Sequence, residues 1–257
     1  MHSLLEKIAR DFSVYTEGFF KDPKLQEQVL MKYLHSYRVL AHGLEIADSL
    51  RVNSDTRELC GIASLLHDIG RFLQVERTGS ASDAPESDHG SFGIEALDYI
   101  GSLWQLPNRW QECIKTVTRL HNKKEVPKGL GETITLVLNL VRDADKLDIL
   151  HNIRMHVQAK AYDVIWEGVE VRGPLAPNII NSYCQGKGVL LKDVKSLADI
   201  SVLQLSFFEG LAFNHSKECF VKAGHFERLR DQLEDLDTDG ASKVLPIAER
   251  RICGFKI

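Results

Sequence analysis

The sequence predicts an all-α protein, mostly helical, with at most minor short strands in its second half. Two observations carry that expectation. Apolar residues recur at helical spacing in one stretch after another. Helix-start signals precede several of these stretches, at Asp22-Pro23, Asp55 to Glu58, Asp88 and Leu106-Pro107. Only Ala159 to Arg172 mixes β-branched and aromatic residues in a way that suggests short strands or a broken helix.

Taken in order, Leu4 to Phe12 reads as a short first helix. Asp22 as cap and Pro23 as first helical residue open the second. Leu34, Tyr37, Ala41, Leu44, Ala47 and Leu50 follow its period, with His35, Val39, His42 and Ile46 as a neighbouring stripe. After a connection at Arg51 to Ser54, Asp55 and Glu58 read as a capping box for the third helix. Leu59, Ile62, Ala63, Leu66 and Ile69 give it a core face, and Gly70 reads as its stop signal. His67 and Asp68 thus stand at the end of a helix that is otherwise to be buried. Burial without partners costs roughly 2–7 kcal/mol for one polar group and more for a charge. A metal ion bonded to both removes that cost.

Thr78 to Asp88 is small, polar and poor in apolar residues, so it reads as a loop: a binding loop or lid, or a mobile surface segment. Asp88 then caps a helix with Phe92, Ala96, Leu97, Tyr99 and Ile100, and His89 lies in its first turn. Leu106-Pro107 starts another, on which Trp110, Cys113, Ile114, Val117 and His121 share a face, ending near Asn122 to Lys124. Pro127, Gly129 and Gly131 mark a turn. Ile134, Leu138, Val141, Asp145 and Asp148 fall at helical spacing, so Asp145 continues an apolar stripe, where a carboxylate needs a partner. Beyond these, Pro177 to Cys184, Ser201 to Phe213 and Phe226 to Leu236 read as helices. The tail from Asp237 to Ile257 gives weak signals. With no repeat and no convincing linker, the expectation is one domain over 1–257, with a core at about 25–155 and a helical extension at about 156–257.

Composition narrows the function classes. At 44% hydrophobic and 26% charged the chain is neither disordered nor fibrous. A net charge of −4 with interspersed signs gives no general reason to expect a nucleic-acid partner. The five cysteines form no CxxC pair and are odd in number, which fits reduced thiols in a cytoplasmic protein. Met1 to Ala9 is too polar for a signal peptide, and no apolar run approaches the ~20 residues of a membrane span.

The ligand-type residues at element ends or in apolar stripes are His35, His67, Asp68, His89, His121 and Asp145. Here the sequence resembles the HD-domain superfamily of metal-dependent phosphohydrolases. The resemblance rests on Leu34-His35-Ser36-Tyr37-Arg38-Val39, on His67-Asp68-Ile69-Gly70-Arg71, and on Ala144-Asp145-Lys146-Leu147, and spans roughly residues 30 to 150. His89 and His121 match the extended pattern of members that hold two metals.

The resemblance implies an HD-type helical fold and a centre of one or two divalent transition metal ions: Fe, Mn, Zn, Ni or Co. His35, His67, Asp68 and Asp145 would hold one ion. His89 and His121 would hold the second, with Asp68 bridging. The implied activity is hydrolysis of a small phosphorylated substrate, a nucleotide by preference, through a metal-bound hydroxide. Asp68 and Arg71 are the expected catalytic residues. Arg71, Lys146, Arg38 and Asn122 are the expected substrate contacts, with a surface salt bridge from Arg71 to Glu76 as the competing role. Two other activities fit the same ligands: a di-iron oxygenase cleaving a C–C or C–P bond, and a non-catalytic nucleotide sensor. The chain is compatible with a homo-oligomer.

Among the remaining histidines, His42 is expected in the core or behind a ligand, and His156, His215 and His225 on the surface. Ion pairing or capping accounts for Asp148 and His151. Phe207, Phe208, Phe213 and Phe220 are expected in the core.

Overall fold

The computed structural model describes residues 3–81, 83, 87–162 and 168–255. The described residues form helices and no strand, the nearest thing to one being an isolated bridge between Glu170 and Ser196. Residues 163–167 of the segment expected to hold strands, and 82 and 84–86 of the polar loop, lie outside the described residues. Among the described residues no helix is long and apolar enough to cross a membrane. All five cysteines are free thiols. The chain divides into two compact units, Met1–Asp148 and Ile149–Ile257.

The first unit contains α1 (Leu4–Glu17), α2 (Gln26–Ser49), α3 (Ser54–Leu66), α4 (Gly70–Thr78), α5 (His89–Leu97), α6 (Asn108–Leu120) and most of α7 (Glu132–Gln158). α1 runs a turn longer than its apolar pattern suggests. Ser3 and Glu6 close a capping box at its start, and Ile8, Phe12 and Thr16 form its buried side. Phe12 meets the rings of Tyr33, Tyr37 and Phe72. α3 lies at the centre, packed against α1, α2 and α6, and every residue from Leu59 to Leu66 is buried.

Three boundaries differ from the sequence reading. Asp22 accepts from the backbone of Lys24 in a turn, and α2 begins only at Gln26. α3 is capped by Asn53, whose side chain accepts from the Thr56 amide at 2.8 Å, and not by Asp55. Glu58 instead accepts from the Leu5 amide at 3.0 Å and ties α1 to α3. Gly70 starts α4 and does not stop α3, because His67, Asp68 and Ile69 make a tight turn between the two helices. Glycine is needed there for a different reason. A Cβ on Gly70 would collide with the His89 carbonyl oxygen and the Gly93 amide nitrogen, and a Cβ on Gly93 would collide with Thr118 Cγ2. Helix α5 is thereby drawn tightly between α4 and α6.

The second unit contains α8 (Pro177–Cys184), α9 (Leu197–Glu209), α10 (Asn214–Lys222), α11 (His225–Leu236) and α12 (Thr238–Ile252). α9 is its core helix, capped by a Ser196–Asp199 box and packed against α8, α11 and α12. It starts four residues earlier than the pattern suggests. α12 is capped by Asp237, which also accepts from the Leu175 amide. Phe208 and Phe220 are buried as expected, while Phe207 and Phe213 are half-buried. His225 departs from its expected surface position: it is buried at the start of α11, beside the Phe220 ring.

Gly70→Ala is expected to destabilise the protein by about 1–3 kcal/mol or more, because the obstacle is backbone and not a movable side chain. Urea unfolding of wild type and variant measures it. An unchanged midpoint would show that α4 and α5 do not depend on this approach.

Candidate metal centre

Five elements of the first unit converge on one place. The middle of α2 brings His35, the α3–α4 turn brings His67 and Asp68, and the first residue of α5 is His89. His121 follows the last residue of α6, and α7 brings Asp145. The four imidazoles and Asp68 are buried, and Asp145 is partly exposed.

The geometry groups the donors in two sets. His35 Nε2 lies 3.3 Å from His67 Nε2 and 3.2 Å from Asp145 Oδ1. His89 Nε2 lies 3.0 Å from His121 Nε2. Asp68 stands between: Oδ2 faces His35 at 3.6 Å, while Oδ1 faces His89 at 3.2 Å and His121 at 3.4 Å.

The opposite nitrogen of each ring fixes what these Nε2 atoms are. His67 Nδ1 donates to the Ser64 carbonyl at 2.7 Å, and His121 Nδ1 donates to the Thr118 carbonyl at 3.0 Å. His35 Nδ1 donates to Asp148 at 2.6 Å, and His89 Nδ1 donates to Asp83 at 2.7 Å. A carbonyl or carboxylate oxygen only accepts, so each Nδ1 carries the proton and a neutral ring leaves Nε2 as a bare lone pair. Four lone pairs and two carboxylates then face one another in a buried space. That donor set repels itself unless cations lie between, and it is the arrangement by which proteins orient histidine ligands to a metal. The residues fit one or two divalent ions, with nitrogen and oxygen donors and no thiolate.

The electrostatics agree. Burial alone would lower His35, but hydrogen bonds to Asp145 and Asp148 outweigh it and raise the ring to about 9, so that without an ion the carboxylates draw a second proton to Nε2, which a metal would displace. His89 goes the other way: burial brings it down to about 4 despite Asp68 and Asp83. His67 is also lowered by burial. Burial would raise Asp68, yet Lys32, Arg71 and the nearby histidines hold it well below the usual carboxylate range. Asp145 is held low in the same way by His35 and His67. Such tuning is common where a site handles charge.

The other expected site residues are nearby but engaged. Arg71 sits in the first turn of α4. Its Nη1 donates to Gln74, the Ala81 carbonyl and Asp83, at 2.6–2.9 Å. Its buried Nε has no hydrogen-bond partner and lies 3.5 Å from Asp68 Oδ1. Its acidic partners are therefore Asp68 and Asp83. Arg38 is paired with Asp148, with Nη2 3.1 Å from Oδ2, behind His35. Asn122 donates to Asp88 at 2.9 Å, beside His89. Lys146 adjoins Asp145 and is half-buried, and burial lowers its pKa. Asp148 is fully buried and orients His35. His42 is half-exposed with Glu45 3.7 Å away.

Two residues escaped the sequence reading. Lys32 Nζ lies 3.3 Å from Asp68 Oδ2. It precedes His35 by three residues and so shares its side of α2, a signal that was present in the spacing. Asp83, which holds His89, belongs to a loop with no periodicity to read.

Residues 33–150 match the family model of the HD domain. The chain carries an HD domain. No curated protein and no solved structure matched the chain. The matched HD-domain stretch contains every residue of the converging set, from His35 to Asp148. Its His/Asp clusters can hold divalent metal.

Asp148→Asn is expected to weaken divalent-metal affinity about 10–100-fold, because the neutral side chain orients and polarises His35 less well. Competition against a chelating dye measures it. Wild-type affinity in the variant would remove Asp148 from the support of the centre.

Proposed function

We propose that this HD domain is a metal-dependent phosphohydrolase acting on a nucleotide or another small phosphorylated compound. The observation that carries the reading is the position of Asp68, with one oxygen toward His35 and the other toward His89 and His121. That is the placement of a carboxylate shared by two ions. His35, His67, Asp68 and Asp145 would hold one, and His89 and His121 with Asp68 the other, from among Fe, Mn, Zn, Ni and Co. Divalent ions bound there would supply Lewis acidity and lower the pKa of a bound water.

The chain's own residues contribute position and charge. Asp68 holds both ligand groups to one point. Arg71, whose Nε lies 3.5 Å from Asp68 Oδ1, would set a fixed positive charge beside a phosphate held at Asp68, where it stabilises what develops in the transition state. Lys146, next to Asp145 in the chain, would be a further cation for substrate, beside Lys32 at Asp68. Arg38 and Asn122 act through Asp148 and Asp88, which they hold. The free thiols suit a cytoplasmic setting.

Elemental analysis of protein purified without chelator, followed by a phosphatase screen with several metals, tests the reading. Asp68→Ala is expected to lose metal and activity together. His121→Ala is expected to lower the content from about two ions per chain towards one. Oxygen uptake by the iron-loaded protein without phosphate release would assign the ligands to an oxygenase instead. Tight nucleotide binding without turnover in any metal would make the domain a sensor.

Arg71→Ala, assayed at saturating metal, is expected to carry its full metal content and lose roughly 10²–10³ in kcat/KM, with Arg71→Lys recovering part. If Arg71 serves only to hold Asp83 and through it His89, the alanine variant loses metal affinity before it loses turnover per bound metal.

A further inference from the structure

Among its described residues, the second unit part-buries positive charge with no carboxylate in ion-pair distance. Helix α11 begins after Gly224, which is left-handed at φ 67, and no side chain caps it. Uncapped N–H groups and the positive end of the helix dipole favour an anion. The first turn instead carries no carboxylate on this side: His225 stands at its first position and the Arg228 guanidinium three residues on, a spacing that places them on one side of the helix.

Both are short of partners. His225 is 5% exposed, its ring lies 5.2 Å from that of Phe220, and its Nδ1 has no hydrogen-bond partner. Arg228 donates from Nη2 to Oε1 of buried Gln204 at 2.9 Å, while its buried Nε and Nη1 have none. Arg154, near the end of α7, is close enough to act on both, and His151 on His225. Among the described residues, neither Arg154 nor Arg228 has a carboxylate within ion-pair distance, and Glu227 of the same turn is exposed and pairs with neither. Burial, with these cations adding to it, lowers His225 to about 4, and burial with Arg154 lowers Arg228 to about 10. A buried charge left uncompensated in this way is strongly destabilising, and a bound counter-charge relieves it.

We propose that the start of α11 is an oxyanion-binding site, where Arg228, Arg154, His225 and the first backbone N–H groups of the helix hold a phosphate-type group. Two guanidiniums beside a helix start match a doubly charged oxyanion better than a single carboxylate. The metal centre takes no part in it.

Thermal unfolding of wild type and of Asp68→Ala, the latter to remove the metal centre as a competing phosphate site, tests this. Inorganic phosphate is compared with chloride at equal ionic strength. A rise of about 3–6 °C is expected in both proteins at ten times the dissociation constant. Arg154→Gln, made at a half-buried position, is expected to abolish most of the rise. Arg228→Leu is expected to melt no lower than its parent in chloride, since an unpaired buried charge is gone, and to ignore phosphate. A nucleoside triphosphate whose effect both substitutions abolish would support the same site and assign the anion to a nucleotide. No rise beyond chloride, or a rise from either ligand that survives Arg154→Gln, overturns the proposal even if Arg228→Leu fails to fold.

Discussion

Four imidazole Nε2 atoms and two carboxylates share one buried space in the first unit, and much of that unit's construction serves to keep them there. Left alone, such groups would turn away from each other or bring in solvent. They do not because each ring is held from behind. His67 and His121 are pinned to the carbonyl three residues earlier, so the end of a helix orients its own ligand. His35 and His89 are pinned to carboxylates from distant or irregular segments. Each of those carboxylates is fixed in turn by an arginine, Asp148 by Arg38 and Asp83 by Arg71. The centre is therefore only as rigid as a second layer of charge, and that layer ties α2 to α7 and α4 to the loop before α5.

Packing sets the remaining coordinate. His89 and His121 come from two different helices, yet their Nε2 atoms are 3.0 Å apart. The close approach of α5 to α4 and α6 makes this possible, and it depends on Gly70 and Gly93 having no side chain. Lys32 and Arg71 then flank Asp68 from opposite oxygens. Asp68 keeps its negative charge with no help from solvent, because two fixed cations compensate the cost of its burial.

The converging donors were legible in the sequence as local anomalies: a His-Asp pair ending an apolar helix, an aspartate in an apolar stripe, a histidine beside a cap. Their supports were not. The Asp148–His35 bond joins residues 113 positions apart, and spacing along one helix says nothing about it. Gly70 reads as a stop in the sequence because glycine after an apolar run is usually one. Its actual role is a contact with α5 that only the tertiary structure supplies. The error at the start of α3 has a similar origin. Asn53 and Asp55 are both good cap residues, and a capping box favoured Asp55, but Glu58 was already committed to the Leu5 amide. Where local rules offered two answers, a long-range partner decided.

His35 and His225 show how little burial alone says about a histidine. Both rings are about 95% buried, and burial opposes the charged form of each. At His35 two carboxylates reverse the effect and raise the ring to about 9, so that with no ion present a second proton on Nε2 takes the place a metal would have. At His225 the neighbours are arginines and a histidine, so the shift deepens to about 4. The first environment has excess negative charge and calls for a cation, and the second has excess positive charge and calls for an anion. The sequence marks the first because carboxylates in apolar stripes stand out. It hides the second because Gly224-His225 carries no cap residue and no apolar anomaly, and the arginines that complete it lie on two helices some seventy positions apart, at Arg154 and Arg228.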